Sequence, residues 1–144
     1  PDFDLPTFGE GRVRLADYRG KVVLVTFFMA DCLSRYPQGQ EELKAVYERF
    51  HEDARYTQIG LFFESYPLLA KKAADEAELG WPLGLIWEHR GRETREYALP
   101  SKALWNVVID AQGRIFARDL SGEALEPAID EALRTVRRKP WTSD

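Results

Sequence analysis

The sequence is poor in the residues that usually advertise a functional site. It holds one cysteine, two histidines and one methionine among 144 residues. One cysteine cannot close an intrachain disulfide, so cysteine usage assigns no redox compartment. Two separated histidines and that cysteine lack the spacing of a metal centre, and neither a metal nor a cofactor is expected. Charge of one sign is lacking as well. The 20 basic and 24 acidic residues are mixed along the chain, which leaves no basic footprint for a nucleic acid. No apolar run approaches the ~20 residues that a membrane-spanning helix needs, so no transmembrane segment is expected. Internal repeats, low-complexity stretches and linkers are missing. No signal-peptide pattern is visible either. The chain opens on Pro1 rather than methionine, so the compartment stays open: cytoplasmic, or extracytoplasmic had a signal or anchor been removed upstream.

What is present is one domain's length of alternating strand and helix patterns, expected to form a domain over 1–138 with a loose tail at 139–144. Residues 21–29, Lys-Val-Val-Leu-Val-Thr-Phe-Phe-Met, are a β-branched and apolar run that reads as a strand buried on both faces. A helix is predicted over 38–51, with Leu43, Val46, Tyr47 and Phe50 on one stripe. Further strands are predicted at 13–15, 57–63, 83–87, 104–109 and 114–117, the last two joined by the turn Ala111-Gln112-Gly113. Pro67 opens a helix that runs to about residue 79, a short helix covers 92–99, and a last one spans 123–138. Strands alternating with helices predict an α/β sandwich around a mixed sheet.

The sole cysteine, Cys32, falls between the buried strand and the helix that follows it. A helix N-terminus at that place stabilises a thiolate through its unpaired N–H groups and its positive dipole end. Arg35 is expected to assist ionisation and Asp31 to oppose it. The plainer account is a half-buried thiol that behaves as a small hydrophobe. Open α/β sheets bind ligands outside the carboxyl ends of their strands. That places Glu64, which follows the strand at 57–63, on the same rim as Cys32. A helix cap built on Ser65 is the simpler account of that loop. His51 at a helix end and His89 in a polar loop are read as ordinary surface residues.

Several segments carry a family resemblance. Residues 1–6, Pro-Asp-Phe-Asp-Leu-Pro, and 13–27, Val-Arg-Leu-Ala-Asp-Tyr-Arg-Gly-Lys followed by the first long strand, are similar to the entry of the thioredoxin-like redoxins. Residues 107–115, Val-Val-Ile-Asp-Ala-Gln-Gly-Arg-Ile, resemble that superfamily's late strand–turn–strand. The superfamily includes TlpA/ResA-type thiol–disulfide oxidoreductases, AhpC/TSA peroxiredoxins and Sco-type copper chaperones. The resemblance covers about residues 1–135. It implies a thioredoxin-like three-layer sandwich: a mixed central β-sheet, helices on both faces and an N-terminal β-hairpin.

The catalytic patterns of these relatives are incomplete in this chain. A Cys-x-x-Cys motif would put its second thiol at Arg35, and the Sco-type Cys-x-x-x-Cys-Pro would put it at Tyr36, before Pro37. The copper ligand histidine of that pattern falls near Lys102. The peroxiredoxin motif fails when counted back from Cys32, which meets Met29 and Val25, and equally from Tyr36. The proline that faces the nucleophile, cis in these relatives, maps to Leu104, with Pro100 four residues early. A trans bond is expected before Leu104.

The resemblance thus implies a redox protein with one nucleophilic cysteine. It would act in thiol–disulfide exchange or peroxide reduction with an external resolving thiol. Cys32 and Arg35 are the candidate catalytic residues, and Asp31, Tyr36, Glu64, Lys102 and Leu104 the candidate groove residues. A thiol- or disulfide-bearing protein, or a low-molecular-weight thiol, is the implied partner. The alternative is a redox-inactive binding or assembly module that uses the groove for protein contacts. Substrate and oligomeric state are not legible in the sequence.

Overall fold

Eight consecutive residues of the first long strand are apolar or β-branched, and such a run belongs at the centre of a sheet. The computed structural model of the chain describes residues 4–6, 11–29, 37–63, 71, 72, 75, 81–85, 104–118 and 122–136. Strand β1 (Asp4–Pro6) pairs antiparallel with β2 (Arg12–Arg14) as a separate two-stranded hairpin, followed by a 3-10 turn at Leu15–Tyr18. Then come β3 (Val22–Met29), helix α1 (Pro37–Phe50), β4 (Tyr56–Phe63) and β5 (Leu83–Leu85). Next are β6 (Leu104–Ile109), β7 (Ile115–Arg118), a 3-10 turn at Gly122–Ala124 and helix α2 (Leu125–Arg134).

The five-stranded sheet has the order β5-β4-β3-β6-β7. β3 is parallel to β4 and β4 to β5, while β6 and β7 are antiparallel, so the sheet is mixed as expected. A helix between β3 and β4 returns the chain to the same end of the sheet, which permits their parallel pairing. β6 and β7 need only the short turn 110–114. There the Asp110 carboxylate accepts from the N–H groups of Gln112 at 3.0 Å and Arg114 at 2.9 Å. Gly113 sits at φ +83°, and an added Cβ would meet the Arg19 guanidinium at 2.8 Å. A bulge at Val108/Ile109 gives β7 its extra residue.

Alternation along the strands divides the core in two. Val23, Val25, Phe27, Ile59, Leu61, Val107 and Ile109 face the hairpin, packing with Leu5, Val13 and Leu15. Val22, Leu24 and Val108 face α1 and α2, packing with Leu43, Val46, Phe50, Ile129 and Leu133. Both described helices therefore cover one face. The segment expected to be helical over 67–79 is described only at Lys71, Lys72 and Asp75, which are helical.

Several boundaries shift by a residue from the pattern reading: α1 is Pro37–Phe50 rather than 38–51, β4 begins at Tyr56 rather than 57, and β7 is Ile115–Arg118 rather than 114–117. Two further shifts have a local cause. The strand expected at 13–15 is Arg12–Arg14, because its pairing with β1 ends at Arg14 opposite Asp4 and Leu15 begins the 3-10 turn. The last helix, expected from 123, begins as 3-10 and turns α-helical at Leu125, with Pro127 in its first turn, where a missing N–H costs no bond. Its last described turn tightens, with Thr135 N–H donating to the Ala132 carbonyl at 3.0 Å and Val136 N–H to Leu133 at 3.2 Å. The short helix expected at 92–99, residues 86–87 of the strand expected at 83–87, and the tail lie outside the described residues.

Candidate functional site

β3 lies between β4 and β6, so its carboxyl end emerges at mid-sheet with a neighbour on either side. Met29 stands opposite Phe63, the last residue of β4, and Phe28 stands opposite Leu104, the first residue of β6. Three chain connections therefore meet one rim. The chain leaving Met29 carries Asp31, Cys32, Arg35 and Tyr36 before it enters α1 at Pro37. The chain leaving Phe63 continues with Glu64, and the chain arriving at Leu104 has just passed Lys102. Covalent geometry keeps the Cys32 Cα within ~11 Å of the Met29 Cα, since consecutive Cα atoms are 3.8 Å apart.

Of the candidate residues, Leu104 belongs to a described strand, where it opens β6 opposite Phe28. Asp31, Cys32, Arg35, Tyr36, Glu64 and Lys102 lie outside the described residues, as do Pro100 and the residue that precedes Leu104. The isomer of the 103–104 bond is outside them with that residue. Of the two histidines, His51 follows α1 with its N–H donating to the Tyr47 carbonyl at 2.8 Å, and His89 is outside the described residues.

Pattern reading missed a buried polar pair just below this rim. Thr26 and Asn106 are direct cross-strand partners, 0% and 2% exposed, and the Thr26 hydroxyl donates to Asn106 Oδ1 at 2.7 Å. Neither group titrates near neutral pH, so the pair offers no proton chemistry. It instead ties the start of β6 to the end of β3, two residues before the Phe28–Leu104 step. A signal for it exists in the sequence: threonine interrupts an apolar run, and asparagine is depleted in strands.

A second polar connection fastens α1 to the sheet. Tyr56 Oη donates to Gln58 Oε1 at 2.7 Å, and Gln58 Nε2 donates to the Leu43 carbonyl at 3.3 Å. Burial holds the Tyr56 pKa well above the ordinary 10.0, so the phenol remains a neutral donor. Helix α1 is thereby anchored at its middle and along its apolar stripe, while its first turn, from Pro37, adjoins the Cys32 segment in the chain. Among the described residues no group of three histidine, cysteine, aspartate or glutamate side chains could hold a metal ion. Among the same residues no helix is long and apolar enough to cross a membrane.

No protein-family model matches the chain, and no curated protein matches it. Solved structures do. A thiol-disulfide oxidoreductase from Bacteroides fragilis NCTC 9343 superimposes with a TM-score of 0.82 at 22% identity, covering 91% of this chain and 96% of that one. The C-terminal domain of a thiol-disulfide oxidoreductase from Bacteroides thetaiotaomicron gives 0.81 at 22% identity, with 93% of each chain covered. A thiol:disulfide interchange protein DsbE from Chlorobium tepidum gives 0.72 at 23% identity, covering 92% and 94%. The chain thus has the thioredoxin-like fold, the one in which those thiol–disulfide oxidoreductases are built.

Proposed function

We propose that the chain is a thioredoxin-fold redox protein whose single nucleophile is Cys32. The observation that carries this reading is positional. The only cysteine lies three residues beyond the central strand β3 and five before α1, in the connection that leaves the sheet at mid-rim. Arg35, in the same connection, is the candidate for favouring the thiolate. Asp31, Tyr36, Glu64, Lys102 and Leu104 are the candidates for the surrounding groove.

In exchange, the Cys32 thiolate attacks one sulfur of a substrate disulfide. A mixed disulfide forms, the substrate S–S bond breaks, and the departing thiolate takes a proton. An external thiol then attacks the mixed disulfide, restores Cys32 and is itself left joined to the substrate sulfur. With a hydroperoxide the thiolate attacks the terminal oxygen and the O–O bond breaks. Alcohol or water leaves, and Cys32 becomes a sulfenic acid. One external thiol condenses with it, releasing water, and a second releases Cys32 as a dithiol-derived disulfide forms. Both cycles need the outside thiol, because the chain contains no second one.

The test is alkylation of the native protein by iodoacetamide across pH. A Cys32 pKa below the ~8.5 of a free thiol is expected, with a mixed disulfide forming on addition of oxidised glutathione. Cys32→Ser should remove all thiol reactivity and leave the fold intact, and insulin reduction without added thiol should be absent. A labelling rate at pH 7 slower than that of a free cysteine peptide ends the redox reading. One observation favours a second reading: Arg35 and Tyr36 occupy the places of a second thiol. In that case the rim serves protein contacts alone, and Cys32→Ser would leave partner binding unchanged.

A further inference from the structure

We draw no further inference here: the strongest candidate, the solvent-open cleft of about 110 Å³ between the end of α1 and the starts of β4 and β5, carries nothing, because the unpaired Trp81 Nε1 is buried and does not open onto it, and nothing in the structure shows what occupies it.

Discussion

The two faces of the central sheet bury comparable apolar sets but treat polar groups differently. Among the described residues, the side chains buried toward the N-terminal hairpin are hydrocarbon: Leu5, Val13, Leu15, Val23, Val25, Phe27, Ile59, Leu61, Val107 and Ile109. Toward α1 and α2, Thr26, Gln58, Asn106 and the Tyr56 hydroxyl are buried among the aliphatic groups. Such groups are tolerated only when bonded. Here Thr26 bonds to Asn106, Tyr56 to Gln58, and Gln58 to the backbone of α1. The hairpin face relies on packing, which is non-directional. The helix face adds bonds with one geometry each, and these hold α1 and β6, the two elements that adjoin the Cys32 connection and Leu104.

That contrast can be broken. The largest effect should come from the packing face, where Phe27→Ala is expected to cost ~3–5 kcal/mol in chemical denaturation. Next come the polar swaps at adjacent residues. Asn106→Leu leaves the Thr26 hydroxyl without this acceptor in the interior and should cost ~1–3 kcal/mol. Thr26→Val combined with Asn106→Leu should recover most of that loss, because both partners are then apolar. Val25→Thr places a hydroxyl on the hydrocarbon face and should cost a similar ~1–3 kcal/mol with no rescue from Asn106. If Val25→Thr is neutral, the two faces are not distinct.

Tyr56→Phe sharpens the comparison through pH. It should cost ~0.5–1.5 kcal/mol at neutral pH, one hydrogen bond's net worth. Burial raises the folded-state pKa above 10.0, so the unfolded phenol ionises first. The tyrosine's contribution is full below pH ~10 and declines above it as the unfolded chain loses its proton. The phenylalanine variant should therefore lose less stability than the parent on going above pH ~10. The smallest effect belongs to the surface. The Arg55 guanidinium, 2.8 Å away, holds the Asp53 carboxyl below the ordinary 3.8 against partial desolvation. Its contribution is present above pH 3.8 and lost as pH falls through the depressed value. Asp53→Asn should thus cost ~0–1 kcal/mol at pH 7 and nothing in strong acid, with the difference shrinking in salt.

Much of the architecture was legible in the sequence. The apolar run at 22–29 emerged as β3 with those bounds, and 104–109 as β6. The stripe Leu43, Val46, Phe50 is the buried face of α1. The turn at 111–113 closes the β6–β7 hairpin. Each of these is a local pattern, readable within a window of a dozen residues. Of the candidate site, the sequence supplied the position of Cys32 between β3 and α1 and the placement of Leu104 at the start of β6. Thr26 and Asn106 were legible only as two polar residues in apolar strands, and their pairing was not, because a threonine in a strand has no partner until register is known.

Periodicity and covalent adjacency are properties of neighbouring residues. They settle that β3 is a central strand, that a helix follows it, and that the chain's only thiol lies between them. Which face each residue meets is a matter of register, and register emerges only when distant strands align. Thr26 meets Asn106 across 80 positions, and Gln58 reaches a carbonyl 15 residues earlier. Trp81 reads as one more aromatic residue in the sequence. Its unpaired donor beside Tyr47 arises only once β5 lies along β4 and α1 packs across them. A single-residue slip of β6 along β3 would reverse the faces of β6 and separate Asn106 from Thr26 while leaving the sequence pattern unchanged.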